Sequence, residues 1–434
     1  MRHWFADLNA FRHDPMTLFL ERAGASDKPM QKLNLGPSPV YLVTDPKLVK
    51  PILKASDDVV DKGRLIHTLR AAVGMSSLTM SGEVQKKRRG VFHRLMARGA
   101  AEQYTCQMAA VIRQTVMELM RHDRFNANEI SGPLALKLIS VVLFGHEVLS
   151  RGDEAALVHA VRQVEDDLAR DMFRMLPKSP WARRRQSRAR AETRATMRLV
   201  VERASKHVSA SSAVSGLQKI GLGTDEIGDE ILTMLITGHH TTGAAAAWLL
   251  YFLATQEGLA DRIAREAQEI TDDNGELRPD QLNTASCSNA LVRETLRLFP
   301  SAWWFSREIK QTVEFGGKAL KPGTSLILSP WQYHRDPRFW SNPDMFDLDR
   351  NFASAAYVPF GAGPRACVGM GAAMLELQVL ALETASAFQI DYLGDRPPAR
   401  PAPSITLIPP QIPVRIRPRL ESVVEDCQLE EKAA

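Results

Sequence analysis

The segment from Ile231 to Ala254 constrains the fold more than any other part of this chain. It reads ILTMLI, then TGHHTTG, then AAAAWLLYFLA. Each apolar run is shorter than the roughly 20 residues a bilayer-spanning helix needs. A segment apolar on nearly all sides is instead a helix buried in the core of a large domain. Asp225 and Asp229 mark its start, because carboxylates are stabilised at a helix N-terminus. A helix so enclosed needs other helices around it. Helical patterns do dominate from about Asp45 to Phe299, interrupted at NEISGP and at SASSAVSGLQKIGLGTDEIGDE.

Outside that region the pattern changes. LNLGPSPVYLVTD reads as two short strands around a Gly-Pro turn, and TVEFGGKALKPGTSLILSPW as a hairpin followed by a strand. PSITLIPPQIPVRIRP reads as late strands, after a further helix over GMGAAMLELQVLALETASAF. The expectation is a mainly α protein forming one domain over residues 1–434. Its strand-rich portions lie at about 33–44, 305–330 and 388–418. At 44% hydrophobic and 24% charged the chain can bury a large core. A net charge of +5 over 434 residues is mild and argues against nucleic acid as a partner. The arginine-rich stretch PWARRRQSRARAETRATMRLVVERASKH reads as a solvated helix face. Cys106, Cys287, Cys367 and Cys427 are scattered without a CxxC pair, which suits a reducing compartment rather than a disulfide framework. The N-terminal MRHWFADLNAFRHDP has neither a signal-peptide core nor a membrane-spanning run, so the expected location is the cytoplasm, with no transmembrane anchor.

Of the four cysteines, Cys367 has the informative surroundings, FGAGPRACVG over Phe360–Gly369. Gly361, Gly363 and Pro364 build a tight non-repetitive loop that brings backbone close to a large flat ligand. Cys367 precedes a helix, whose N-terminal amides favour a thiolate. Arg365 places a fixed cation two residues away, suited to a carboxylate. A buried cysteine acting as a small hydrophobe leaves the clustered glycines and arginine unexplained.

This stretch resembles the haem-binding signature of the cytochrome P450 family, F-x-x-G-x-[HR]-x-C-x-G, at every specified position. The resemblance implies the P450 fold and haem b, iron protoporphyrin IX, held by Cys367 as metal ligand with Phe360 on the sulfur side. It continues in the family's order. ETLR supplies Glu294 and Arg297, and PDMFDLDRNF supplies Arg350, which together resemble the family's structural triad, with Leu348 and Asp349 in place of the usual proline and glutamate. Arg307 and Arg89 are implied propionate contacts. Gln85 stands where the family carries Trp or His.

TGHHTTG then resembles the family's [AG]-G-x-[DE]-T-[TS]. The alignment makes Gly238 the small residue beside dioxygen and Thr241 the catalytic hydroxyl. His240 takes the place of the acid, and an imidazole relays protons near neutrality as a carboxylate does. The loop RLIHTLRAAVGMSSLTM is expected to cover the haem. Leu235, Ile236, Thr237, Trp303 and Trp304 are expected around the substrate. The implied activity is insertion of one oxygen atom from dioxygen into a lipophilic terpenoid, steroid, fatty acid or polyketide-like molecule. Electrons would come from a separate ferredoxin and ferredoxin reductase, steered by the Lys86–Arg89 run, with the enzyme a monomer. A hydrogen-peroxide-dependent peroxygenase and a non-catalytic haem ligand binder or sensor are the alternatives.

Overall fold

The computed structural model describes residues 5–63, 66, 69–70, 73–145, 150–172 and 179–419. The helices that position the site are α1 (Gly82–Leu95), α2 (Ala127–Phe144), α3 (Arg151–Met172), α4 (Pro180–Ala204), α5 (Thr224–Thr255), α6 (Ser286–Leu298) and α7 (Met370–Ala387). The strands used below are β1 (Met30–Leu33), β2 (Val40–Val43), β3 (Val60–Asp61), β4 (Phe305–Ile309), β5 (Val313–Phe315), β6 (Lys318–Leu320), β7 (Ser325–Leu328), β8 (Phe388–Tyr392) and β9 (Pro413–Pro418).

The apolar segment forms α5, at 32 residues the spine of the helical part. Asp225 and Glu226 lie in its first turn, and the Glu226 carboxylate accepts the Gly223 N–H at 3.2 Å. Asp229 lies one turn further in and serves a different purpose, described below. α5 crosses α2 where two glycines meet. A Cβ added at Gly243 would stand 2.9 Å from the Gly132 Cα, so the crossing depends on the missing side chain. Among the described residues, α2 is the one helix long and apolar enough to cross a membrane, and it is mostly buried against its neighbours.

The strands form a small layer at one side. β1 and β2 are antiparallel with Leu33 opposite Val40, and the five-stranded sheet runs β1-β2-β7-β4-β3 with β2 and β7 parallel. β5 and β6 make the hairpin, turning on Gly316 and Gly317, both with positive φ. β9 pairs with β8 from Val414↔Tyr392 to Pro418↔Phe388. The first strand begins at Met30, three residues before the sequence reading placed it. The sheet matters to the site because β4 presents Arg307, and the residues just before it, to the end of α6.

Candidate active site

The loop before α7 is shaped by its glycines. Gly361 and Gly363 both have φ near +70°, and a Cβ on Gly363 would meet the Leu53 carbonyl oxygen at 2.6 Å. The Cys367 N–H donates to the Phe360 oxygen at 2.9 Å, closing the loop. Two adjoining cavities of about 340 and 220 Å³ lie between this loop and α5. Cys367, Arg365, Thr241, Thr242, Leu78 and Ala373 border both, so the two make one continuous slot. The Cys367 side chain is open to the slot although it is walled off from bulk solvent. Burial pushes its thiol up, against the pull of the Gly369 N–H and the Arg89 cation. The lowering expected from the helix N-terminus is therefore outweighed, and a thiolate here needs a cation at the sulfur.

Cations converge on the slot. Arg89 and Arg365 border the smaller cavity, and Arg307 and Arg365 the larger. The Arg89 guanidinium donates to the Ala366 oxygen, and Arg365 pairs with Asp57. Burial and then the neighbouring Arg365 lower Arg307 to about 10. Lys62, which sequence reasoning missed, donates to the Leu78 oxygen. Burial, followed by the charges of Arg365 and Arg307, pulls it down to about 7. Arg89, Arg307 and Arg365 at the slot, with Lys62 beside them, outnumber the nearby carboxylates of Asp57 and Asp61, which leaves a site suited to an added anion. Gln85 is buried one turn before Arg89 with its Nε2 lacking a partner, but it borders neither cavity.

Helical periodicity divides TGHHTTG between two sides of α5. Thr237, Gly238, Thr241 and Thr242 face the slot. His239, His240, Gly243 and Ala244 face a separate polar cavity of about 310 Å³, shared with Ser131, Arg162 and Thr406. His239 and His240 meet edge to face with ring centres 4.7 Å apart. Burial, then the His240 and Arg162 charges, lowers His239 to about 3, so it is neutral. Thr241 Oγ1 donates to the Thr237 oxygen at 2.7 Å, and Ser301 Oγ donates to the Thr241 oxygen at 2.7 Å. Gly238 borders the slot, yet a Cβ there would first meet Ile139 of α2 at 2.9 Å. Helix packing therefore also requires a small residue there.

Several pocket expectations are corrected. Leu235 and Ile236 point into the helical core, because the slot-facing side of α5 runs through Thr233, Met234, Thr237 and Thr241. Trp303 is fully buried, stacked on Phe19 with its Nε1 donating to the Ser404 oxygen at 2.8 Å, and Trp304 meets Phe11 edge to face. Both belong to a separate apolar cluster under β2, while Ser301, Ala302 and Phe305 reach the slot. In the Lys86–Arg89 run, Lys86 and Lys87 are on the surface and Arg88 and Arg89 point inward.

The roof over the slot includes residues 73–81; 64–65, 67–68 and 71–72 of the expected covering loop lie outside the described residues, as does Cys427. Ser77 gives both its N–H and its hydroxyl to Glu230 of α5, each at 2.8 Å. The Met75 N–H donates to Asp229 at 3.1 Å. Glu376 on α7 is buried beside the smaller cavity and hydrogen-bonded to Thr242. Burial raises its carboxyl to about 8, so it is protonated at neutral pH. Charged residues inside apolar runs, such as Glu230 and Glu376, were the available signal for both.

Behind the loop, Arg297 grips Glu294 through two bonds of 2.7 and 2.8 Å, and Arg350 reaches Glu294 at 3.0 Å. All three are buried at their charged ends. Leu348 and Asp349 do not displace Arg350. His334 accepts the Val358 N–H at Nε2 and so donates from Nδ1 to the Arg297 oxygen, tying this cluster to the chain just before Phe360.

The model of the cytochrome P450 family matches residues 4–416. This chain is a cytochrome P450. Human cytochrome P450 4V2 is 26% identical over 394 residues, covering 80% of this chain and 74% of that protein. The cyclooctat-9-en-7-ol 5-monooxygenase of Streptomyces melanosporofaciens is 25% identical over 398 residues, covering 87% and 83%. The crystal structure of a cytochrome P450 (CYP102L1) superposes with a TM-score of 0.80 at 20% identity, covering 94% of this chain and 98% of that one. The P450 fold is thus established, and with it a haem-containing monooxygenase that uses dioxygen and an electron-transfer partner. The slot fits that group: a sulfur open to it on one wall, hydroxyls on the other, and surplus cations around it for its carboxylates.

Proposed function

We propose that this P450 inserts one oxygen atom of dioxygen into a lipophilic small molecule, with haem b seated in the slot. The observation that carries this reading is that Cys367 and Thr241 border one continuous space from opposing elements. Cys367 would hold the haem through its sulfur, and Arg89, Arg307 and Arg365, with Lys62 close behind them, would supply charge for its propionates. Bound there, haem supplies oxygen activation, which electron donation from a thiolate favours. Thr241 commits its hydroxyl hydrogen to the Thr237 oxygen, leaving its oxygen as an acceptor toward the slot. His240, in place of the family's acid, takes protons from the rear polar cavity and passes them toward Thr241, its neighbour on α5.

Leu78, Met234, Ala302 and Phe305 give the slot apolar walls that favour a terpenoid, steroid, fatty acid or polyketide-like substrate. Streptomyces relatives are named cyclooctat-9-en-7-ol 5-monooxygenase and cyclooctatin synthase, which supports including cyclooctat-9-en-7-ol among the compounds to try. Exposed Lys86 and Lys87 suit an acidic ferredoxin, reduced by a ferredoxin reductase, with the P450 a cytoplasmic monomer. The test screens lipophilic compounds for a spin shift of the ferric protein, then compares turnover with dioxygen and the ferredoxin system against hydrogen peroxide alone. Product from the first supports the reading. Equal product from peroxide alone makes the protein a peroxygenase, and binding without product by either route makes it a ligand binder.

A further inference from the structure

The arginine-rich helix α4 is not absorbed by the slot. It holds eight arginines and two glutamates in 25 residues, which more than accounts for the chain's whole excess of +5. Its two faces use these charges differently. On the inward face Arg194 and Arg198 reach Asp229 of α5 at 2.8 and 3.0 Å, and Val200 and Val201 are buried. On the outward face, Trp181, Arg184, Arg185, Arg188, Glu192 and Leu199 fall within about 60° of one line at the helical repeat of roughly 100° per residue. All six are exposed, Trp181 at 70% and Leu199 at 55%. The Arg185 guanidinium sits 5.4 Å from the Trp181 ring centre, and Arg184 and Arg188 make no ion pair among the described residues.

We propose that this outward face docks on an anionic phospholipid surface. The order of residues favours lipid over other anions. Trp181 and Leu199 lie about 27 Å apart at 1.5 Å per residue, with the arginines between them. A helix lying in a membrane interface needs that combination: apolar side chains to enter the headgroup region, tryptophan at its boundary, and arginines against anionic headgroups. A nucleic-acid duplex or an acidic polypeptide would use the arginines and leave Leu199 exposed. The inward face of α4 is fastened to α5, one wall of the slot. Docking this way sets the membrane on that side of the molecule, where a lipid-dissolved substrate would arrive.

Vesicle flotation of the haem-loaded protein tests the proposal. Vesicles of phosphatidylcholine with phosphatidylglycerol should carry the protein up, and pure phosphatidylcholine should not. Arg184→Gln, Arg185→Gln and Arg188→Gln should each weaken partitioning roughly fivefold and together by on the order of 100-fold. Trp181→Ala should lower binding at every salt concentration, whereas the arginine contribution should fade by about 0.5 M salt. The variants should keep the wild-type haem content, since none of these side chains borders the slot. Absence of flotation with anionic vesicles overturns the proposal. So does equal binding to polyglutamate or duplex DNA that is indifferent to Trp181→Ala and Leu199→Ala, which would assign the face to a soluble polyanion.

Discussion

Cys367 shows how much one residue can be read from its neighbours. Clustered glycines, an arginine and a following helix predict a cysteine with a ligand, and the structure opens its side chain to the slot. Burial raises its thiol where the helix terminus alone would lower it, because a sequence shows the terminus and hides the burial. Cys367→Ser should remove the thiolate signature of the reduced carbon monoxide complex, while Cys106→Ser and Cys287→Ser leave it unchanged. A variant that kept the wild-type Soret position would assign the ligand elsewhere. His240 poses the sharper question, since its ring lies toward the rear cavity with Arg162 and Ser131. If it feeds protons to Thr241, His240→Ala should lower product formed per electron consumed, with more hydrogen peroxide released. His240→Glu should restore much of the coupling, and Thr241→Ala should uncouple strongly as the positive control. Equal coupling in His240→Ala and wild type, with Thr241→Ala uncoupled, would leave His240 a packing residue and the protons to water.

Among the elements, α5 was legible because a 3.6-residue period is a local property. The TGHHTTG motif carries two histidines and three threonines, and the cavities flanking α5 divide them, the threonines toward the slot and the histidines toward the rear. Contacts between distant segments left weaker traces. Ser77 and Glu230 are 153 residues apart, and nothing local marks them as partners. The same limit explains Leu235, Ile236, Trp303 and Trp304, whose apolar character fits a pocket and a core equally well. Glu294, Arg297 and Arg350 were legible by their order along the chain, and the structure gives them a physical role. Arg297 also donates to the oxygens of His334 and Met345, at 2.9 and 3.0 Å, so it anchors the segment that leads to Cys367. Removing one member leaves a buried charge uncompensated, at a cost of about 3–5 kcal/mol. Glu294→Ala and Arg297→Ala should therefore accumulate as protein poor in haem. Yield and the haem-to-protein absorbance ratio measure this, and a fully loaded Ala variant at wild-type yield would remove the structural role.

At the scale of the whole molecule, segments far apart in sequence bring Arg89, Arg307 and Arg365 to one slot and Lys62 close to them, with Asp57 and Asp61 nearby. Such a cluster favours an anion and strains the protein without one. Lys62 reports that strain, because its ammonium is held at about 7 against an ordinary 10.5, through burial and then the nearby arginines. Below about pH 7 the lysine is charged in both the folded and unfolded states, and the penalty is fully present. Between that pH and 10.5 the unfolded chain binds more protons than the folded one, so stability rises with pH. The haem-free protein should therefore melt at increasing temperature as pH is raised from about 7.5 to 9.5, beyond the trend shown by Lys62→Met. Haem propionates opposite the cluster would return the lysine toward its ordinary range. In the haem-loaded protein the difference in slope between wild type and Lys62→Met should then collapse. Paired melting curves with and without haem decide the matter. If wild type and Lys62→Met run parallel in the haem-free state, Lys62 carries no strain. If their slopes differ equally with haem bound, the carboxylates lie elsewhere.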